Sequence, residues 1–336
     1  MSQRNNSVAR RVEAVWYADK PIALLVPLAW LFRLLVWLRR RAYDAGVFRR
    51  YRCGVPVVVV GNITVGGTGK TPLVGWIANQ LGAGGRRVGI LSRGYGGTAG
   101  DRPTLVSRDS DVAAVGDEAL LLAHQTDATV CVCADRVAGA RMLVEAAGAE
   151  LIVCDDGLQH YRLERDLEIV VIDGSRGLGN GQLLPAGPLR EPASRLAEAD
   201  FVFTNGGSSL DIDSRTFTLQ PQRLRSLSGN AECDLSDFDG RTVWGVAGIG
   251  NPERFLSMLR DQGIRPRQVD VPDHGSVSLD ALRASETWPI LMTAKDAVKY
   301  RADSIEDAWY VPVDLVISPD DERVLTDRLK ELYVEE

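Results

Sequence analysis

A glycine-rich loop after a short apolar strand is the part of this sequence best suited to chemistry. The strand pattern spans Val57 to Val60, and the loop that follows it contains Thr64, Val65, Gly66, Gly67, Thr68, Gly69, Lys70 and Thr71. Backbone N–H groups of such a loop, with the N-terminus of the next helix, hold phosphate oxygens. Lys70 would reach the β- and γ-phosphates, and the Thr71 hydroxyl would complete a Mg²⁺ shell. Although Thr64 replaces the glycine of the strict pattern, the sequence predicts a nucleoside triphosphate site here rather than an ordinary turn.

Two adjacent carboxylates, Asp155 and Asp156, follow the apolar run from Leu151 to Cys154. Acids at the end of such a strand hold the Mg²⁺ that bridges the β- and γ-phosphates, although Asp-Gly is also common in turns. Because the phosphate loop lies upstream, we predict metal ligands. A third acid, Asp117, precedes a leucine-rich helix. The residues alone allow an N-cap or a base for a substrate hydroxyl, and they favour the cap.

Three other positions carry groups that suit phosphate or substrate. Arg93, in a glycine-rich turn after a strand, either reaches phosphate with two hydrogen bonds or faces solvent. Arg190 and Glu191 lie in a stiff Pro/Gly loop and could contact substrate or metal, or the loop could be punctuation only. His274 would matter only if the C-terminal region closes over the first domain.

Strand-length apolar runs alternate with helical patterns from Val55 onward. Six such runs are Val55–Val60, Val88–Ser92, Thr129–Cys133, Leu151–Cys154, Leu167–Asp173 and Phe201–Thr204. The helical patterns between them are Pro72–Leu81, Asp117–Gln125, Arg136–Ala147 and Pro192–Ala199. Strands that are apolar on both faces and alternate with helices predict a P-loop NTPase-like α/β fold, a parallel sheet with helices on both faces. Ligands bind beyond the carboxyl ends of such strands, where the candidate groups cluster. We expect this core at 53–215, a linker region at 216–240 and a smaller C-terminal α/β domain at 241–336.

The first 52 residues form a basic, apolar segment on an otherwise acidic chain. They carry eleven Lys or Arg and three acids, a net charge of +8, so the remaining residues carry −14 of a chain whose total is −6. The apolar run 21–32 ends at Arg33 and is too short to span a membrane, and no signal cleavage site follows it. Trp16, Trp30 and Trp37 suit the headgroup boundary of a membrane, and the arginines suit its anionic lipids. We favour this over a hydrophobic helix pair packed on the protein, and we expect no nucleic-acid partner.

Seven segments, taken in order, resemble the tetraacyldisaccharide 4′-kinase family, the lipid A 4′-kinases of Gram-negative bacteria. They are Asn62-x-Thr64-x-Gly66-Gly67-Thr68-Gly69-Lys70-Thr71-Pro72, Ser92-Arg93-Gly94-Tyr95-Gly96, Gly116-Asp117-Glu118, Asp155-Asp156-Gly157-x-Gln159-His160, Leu184-Pro185-Ala186-Gly187-Pro188-Leu189-Arg190-Glu191-Pro192, Asp273-His274 and Lys295-Asp296-Ala297-Val298-Lys299. The resemblance covers the chain from the apolar N-terminus nearly to its end. The sequence departs from the family pattern at Ala119, Leu158 and Ala294, and in the stretch 275–277 after the histidine.

The resemblance implies an activity and its location. The family transfers the ATP γ-phosphate to the 4′-hydroxyl of a tetraacylated glucosamine disaccharide 1-phosphate, giving lipid IV-A. ATP and Mg²⁺ would be the cofactors and the lipid-linked disaccharide the partner. Because this acceptor stays in the membrane, we expect a peripheral protein on the cytoplasmic face of the bacterial inner membrane, in agreement with the N-terminal pattern.

The resemblance also implies roles for individual residues. Lys70 and Thr71 would bind phosphate and Mg²⁺, and the metal and substrate shell would come from three acids, Asp155, Asp156 and Glu191. Asp117, assisted by His274, becomes the base for the 4′-hydroxyl, which reverses the preference for a helix cap. Arg93 would neutralise phosphate charge.

Two other classes of protein share a phosphate loop of this kind. A nucleotide-switch ATPase or GTPase that serves as a maturation factor is disfavoured, because Val65 stands where switch ATPases need lysine and the stretch 293–296 lacks the guanine-reading Asn. A soluble sugar kinase, whose apolar N-terminus only forms a dimer, is the other alternative. Phosphate transfer to lipid-linked and to water-soluble acceptors would separate all three.

Overall fold

The computed structural model describes residues 15–18, 20–207, 212–229, 231–271, 275–300 and 306–334. The strands are β1 (Val57–Gly61), β2 (Val88–Ser92), β3 (Thr104–Val106), β4 (Thr129–Val132), β5 (Leu151–Asp155), β6 (Leu167–Asp173), β7 (Phe201–Asn205), β8 (Arg215–Pro221), β9 (Leu224–Ser226), β10 (Glu232–Cys233), β11 (Thr242–Val246), β12 (Arg265–Val269), β13 (Ile290–Thr293), β14 (Ala308–Val311) and β15 (Val313–Ile317). The helices are α1 (Val26–Asp44), α2 (Lys70–Ala83), α3 (Val112–Val115), α4 (Asp117–Gln125), α5 (Arg136–Arg141), α6 (Pro252–Asp261), α7 (Leu279–Ser285), α8 (Ala294–Ala297) and α9 (Pro319–Val334).

The larger unit is built on a nine-stranded sheet with the order β15-β8-β7-β6-β1-β5-β2-β4-β3. The strands from β8 to β4 run parallel, while the edge strands β3 and β15 pair antiparallel with their neighbours. The central strand β1 is buried throughout. Val58 and Val60 face a core shared with α2, α4 and α9, and Val57 and Val59 face a core shared with α5 and α1. The predicted parallel sheet, covered on both faces, is therefore confirmed.

The predicted elements of this unit agree with the structure to within about two residues at strand ends, and two helices differ. The stretch 136–147 was expected to be one helix, but α5 ends at Arg141 and a π turn, Met142–Ala146, follows it. The expected helix at 192–199 is a 3₁₀ helix, Ala193–Glu198. Its N-terminal residue Pro192 has an extended backbone and makes no side-chain cap.

A second, six-stranded sheet has the order β10-β9-β14-β13-β11-β12. Strands β11 to β14 pair in parallel, which confirms the predicted second βαβ series. The chain then returns to the first sheet, where β15 pairs with β8 and Leu325 and Leu329 of α9 enter the core beside Phe203 and Phe217. The sequence had placed 216–221 in a linker and 313–334 in the C-terminal domain. The structure instead joins both stretches to the large sheet, because the apolar face of α9 is buried there.

Helix α1 lies against the larger unit along one face only. Ala29 is buried and Phe32 packs on the core beneath β1. The other faces of α1, and Leu24 in the 3₁₀ turn before it, expose large apolar side chains to solvent: Leu24, Leu28, Trp30, Leu31, Leu34, Leu35, Trp37 and Leu38. In the part of the chain that the structure describes, no helix combines the length and the apolar character needed to cross a bilayer.

Candidate active site

The phosphate loop connects β1, the central strand, to the N-terminus of α2. Gly69 precedes the helix with a φ of 93°, a left-handed conformation that favours glycine. A Cβ at Gly69 would clash with the side-chain amide of Asn205, which instead donates to the Thr68 carbonyl at 3.1 Å. Lys70 is the first residue of α2, and its Nζ lies 3.5 Å from Oδ1 of Asp156. The loop and the end of β5 are thereby brought together, as the sequence predicted.

The Pro/Gly loop at 184–192 runs beside the phosphate loop. The Val65 N–H donates to the Pro188 carbonyl at 2.8 Å, and the Arg190 N–H donates to the Ile63 carbonyl at 2.7 Å. The Arg190 guanidinium donates to both carboxylate oxygens of Asp156, at 2.9 and 3.2 Å. This loop is therefore part of the site rather than punctuation.

The two adjacent carboxylates at the end of β5 have opposite surroundings. Asp156, at a φ of 49°, is held by Lys70 and Arg190. Although burial acts to raise it, these cations bring the pKa of Asp156 below its usual range. Asp155 is 1% exposed, and neither of its carboxylate oxygens has a hydrogen-bond partner among the described residues. Burial and the charge of Glu118 raise the pKa of Asp155 to about 7, against the opposing charge of Lys70.

Glu191 is 1% exposed and is held inside the protein. Its Oε1 accepts a hydrogen bond from Gln159 Nε2 at 2.8 Å, and its Oε2 accepts one from the Tyr161 hydroxyl. The guanidinium of Arg195, itself buried, lies 3.5 Å from Oε2 and balances the charge. Burial and the neighbouring Glu191 raise the pKa of Tyr161, so its hydroxyl stays a donor at neutral pH. Glu191 is thus tied to the loop that follows Asp156.

Helix α1 contacts the same loop from outside. The Arg39 guanidinium lies 5.6 Å from the centre of the Tyr161 ring and donates to the Gln159 carbonyl at 3.2 Å. The Tyr43 ring lies 5.7 Å from that of Tyr161. The exposed apolar surface of α1 is therefore adjacent to the phosphate site, an arrangement that sequence spacing did not reveal.

Asp117 is buried at 2% exposure and contacts the second unit. It is the first residue of α4, whose N-cap is Gly116, and no side chain caps this helix. The preference for a helix cap that the residues alone gave was therefore wrong. Lys299 Nζ lies 3.4 Å from Oδ2 of Asp117, and Lys295 Nζ lies 3.8 Å from Oδ1. Both lysines were missed as site residues, although their spacing of four suits one helical face.

The remaining predicted residues lie at the margin of this arrangement. Arg93 is exposed at the end of β2. Burial and the charges of Arg136 and Arg93 lower the pKa of His160 to about 4, so its ring is neutral near pH 7. His274 lies outside the described residues. Arg136, which was not predicted, is buried beneath β5 and donates to the Asp155 carbonyl at 3.2 Å.

A cavity of about 780 Å³ opens between the two units beside the phosphate loop. Lys70 and Trp76 line it from the larger unit, and Phe255 and Lys295 line it from the smaller one. Its volume suits a ligand of nucleotide size. Among the described residues, no three His, Cys, Asp or Glu side chains form a group that could hold a metal ion. A metal here would have to complete its shell with ligand oxygens.

Contacts at the cavity wall hold the two units together. Arg254 of α6 donates to Asp173 Oδ1 at 2.7 Å and to the Asn205 carbonyl at 3.2 Å. Gly250 lies so close to Gly67 of the phosphate loop that a Cβ on either would crowd the other backbone. The second unit therefore reaches the phosphate loop directly.

Comparison with known proteins gives a consistent match. The family model described as tetraacyldisaccharide-1-P 4′-kinase matches residues 22–332. The tetraacyldisaccharide 4′-kinase of Ectopseudomonas mendocina (strain ymp) is 47% identical over 315 residues, which cover 93% of this chain and 95% of the relative. That of Alkalilimnicola ehrlichii is 52% identical over 290 residues, which cover 86% and 87%. The crystal structure of LpxK from Aquifex aeolicus in complex with ATP has a TM-score of 0.75 at 27% identity, and the match covers 93% of this chain and 99% of that one.

Proposed function

The chain belongs to the tetraacyldisaccharide-1-P 4′-kinase family, and on this basis we propose that it transfers a phosphoryl group from ATP to the 4′-hydroxyl of a tetraacylated disaccharide 1-phosphate. One observation carries the proposal: three groups meet at one end of the large sheet. They are the phosphate loop with Lys70, the buried carboxylate of Asp155, which has no hydrogen-bond partner among the described residues, and the buried acid Asp117 beside two lysines. Phosphoryl transfer needs positioned phosphates, charge neutralisation and an acceptor for the hydroxyl proton.

The proposed reaction uses these groups in sequence. ATP phosphates lie along the loop, where Lys70 and the N-terminus of α2 stabilise their charge. The acceptor 4′-oxygen forms a bond to the γ-phosphorus while its proton passes to Asp117, and the bond from that phosphorus to the bridging oxygen of ADP breaks. We propose that His274 assists Asp117 and that Arg93 neutralises phosphate charge.

Magnesium is the metal that this donor set suits. Mg²⁺ is held by one or two carboxylates together with phosphate oxygens and water. Asp155 offers two buried oxygens to which no described residue donates a hydrogen bond, and Thr71 lies in the first turn of α2. When bound, the ion would neutralise charge on the β- and γ-phosphates. Since Asp156 and Glu191 already have protein partners, we propose that they order the site around the metal.

Helix α1 is the proposed contact with the membrane. It exposes a broad apolar surface, and the exposed Arg39, Arg41 and Arg49 lie along it or just beyond its end. Such a helix lies in the interface of an anionic bilayer. Because α1 also contacts Gln159 and Tyr161, an acceptor held in that bilayer would meet the phosphate site. We therefore propose a peripheral protein on the cytoplasmic face of the inner membrane.

The experiment incubates the purified protein with labelled ATP and one of two acceptors, with a third reaction that contains no acceptor as the control. The acceptors are a tetraacyldisaccharide 1-phosphate in mixed micelles and its deacylated, water-soluble counterpart. We expect label in the lipid product alone, at its 4′-position. Equal labelling of the water-soluble disaccharide would favour a soluble sugar kinase, and release of phosphate without any transfer would favour a nucleotide switch.

A further inference from the structure

Lys299 has a closed shell of oxygen neighbours from three separate segments. Its Nζ lies 3.4 Å from Oδ2 of Asp117, 2.9 Å from Oδ1 of Asp296 and 3.1 Å from the carbonyl of Gly275. Its side chain is 4% exposed. Of its three N–H donors, two donate to the Gly275 carbonyl and the Asp296 carboxylate, and the ammonium charge pairs with Asp117. The buried ammonium of Lys299 therefore links the three segments that contain these oxygens.

Each neighbour of Lys299 leads to a different part of the site. Asp117 belongs to the larger unit. Asp296 is 1% exposed, and its Oδ2 accepts hydrogen bonds from the Gly248 N–H at 2.9 Å and from the Thr293 hydroxyl at 2.6 Å. Gly248 begins the turn that brings Gly250 against the phosphate loop. The ion pair between Asp117 and Lys299 therefore connects the proposed base to the closure of the two units.

We infer that Lys299 is a positioning residue for Asp117: it fixes the carboxylate in the site and holds it ionised, ready to accept the hydroxyl proton. The inference rests on the proposed role of Asp117 as base. A nearby cation favours the charged form of a carboxylate, and a buried carboxylate needs such compensation. Lys295 adds a second cation at 3.8 Å, but it is more exposed and is bound to Glu118 at 2.8 Å. Of the two lysines, Lys299 is therefore the one that most strongly stabilises the charge of the Asp117 carboxylate.

The charged side chains around the Lys299 ammonium set the direction of the expected pH effect. They are Asp117 and Glu118 on α4, and Lys295 and Asp296 on α8. Removal of the Lys299 charge leaves Asp117 with the weaker cation and beside two other acids. Its protonated form is then favoured, so the acid limb of the kcat profile should move to higher pH.

The experiment compares Lys299→Met with Lys299→Arg and with Lys330→Met, an exposed lysine on α9. Rates with the lipid acceptor are measured across pH, and thermal unfolding is recorded for each variant. We expect Lys299→Met to move the acid limb up by about one pH unit, which lowers kcat by up to roughly tenfold on that limb, and to change the KM for ATP little. The deficit should shrink as pH rises. Lys299→Arg should keep the acid limb in place, and Lys330→Met should match the parent protein.

A loss that is the same at every pH would show a purely structural role and overturn the inference. If Lys299→Met does not fold, Asp296→Asn decides the matter. This isosteric change removes a negative charge beside Lys299 and should move the acid limb to lower pH, while an unmoved limb would refute the inference. Asp117→Asn distinguishes the proposed role of Asp117 as base from the proposed role of Lys299 in positioning it. An unchanged kcat in that variant would refute both roles. A large loss of kcat there, with an unmoved acid limb in the Lys299 and Asp296 variants, would refute the positioning role alone.

Discussion

Replacement of Asp155 by Asn should stabilise the protein while it abolishes turnover. The Asp155 carboxylate is buried and receives no hydrogen bond from the part of the chain that the structure describes, and burial raises its pKa to about 7 from an ordinary value of 3.8. Its charge therefore costs free energy of folding at neutral and higher pH. Asn has nearly the same shape and no charge, but it cannot serve as an anionic ligand for a metal.

The size of the effect follows from the pKa shift. A difference of about three pKa units corresponds to roughly 4 kcal/mol at about 1.4 kcal/mol per unit. Water entry and relaxation around a buried charge reduce such penalties, so we expect a gain of about 1–3 kcal/mol. For a chain of this length, whose unfolding entropy is about 0.7 kcal/mol per kelvin, that gain raises the Tm by roughly 1–4 °C.

The pH dependence of this gain has a definite sign. Folded Asp155 keeps its proton up to about pH 7, whereas the unfolded chain releases it near pH 4. The folded state binds more protons between these values, so the stability of the parent protein falls as pH rises through this window. The advantage of Asp155→Asn should be complete at about pH 8 and should vanish at about pH 4.

The assay is thermal unfolding of the parent and the variant without nucleotide or metal, repeated with both, alongside phosphoryl transfer. Asp156→Asn is the matched control on the neighbouring residue. Because Lys70 and Arg190 stabilise the Asp156 carboxylate, its removal should lower the Tm under the conditions in which Asp155→Asn raises it. An unchanged or lower Tm for Asp155→Asn at about pH 8 would refute the reasoning, as would full turnover in that variant.

Three further outcomes test the rest of the site. Lys70→Ala should abolish turnover while the protein still folds, and near-normal kcat would remove the phosphate-loop assignment. Trp30→Ser, on the exposed face of α1, should weaken binding to anionic vesicles in sedimentation without changing the Tm, whereas Phe32→Ser on the packed face should lower the Tm. Asp117→Ala and His274→Ala should each lower kcat more than they change the KM for ATP, and the double variant should cost little more than the worse single one. Fully additive losses would show that the two residues act separately.

The order of strand, loop and helix in the phosphate site could be predicted because these parts are adjacent in the sequence. A β-branched strand, a glycine-rich loop and a helix start follow one another within 57–72, and backbone geometry alone turns the loop N–H groups towards a phosphate. The alternation of apolar runs with helical patterns likewise predicted the covered parallel sheet. Asp155 was identified by the same local logic, as an acid at the end of a buried strand.

The tertiary structure alone decided how the charges are distributed among these residues. Nothing in the sequence distinguishes Asp155 from Asp156. The difference arises because Arg190 and Lys70 contact Asp156, whereas no residue that the structure describes donates to the Asp155 carboxylate. Lys299 reaches Asp117 only because the second unit closes on the first. The return of 313–334 to the large sheet is of the same kind. Local hydrogen bonding and side-chain periodicity encode the elements, but the pKa of a buried group depends on charges from distant segments, and only the folded chain brings these together.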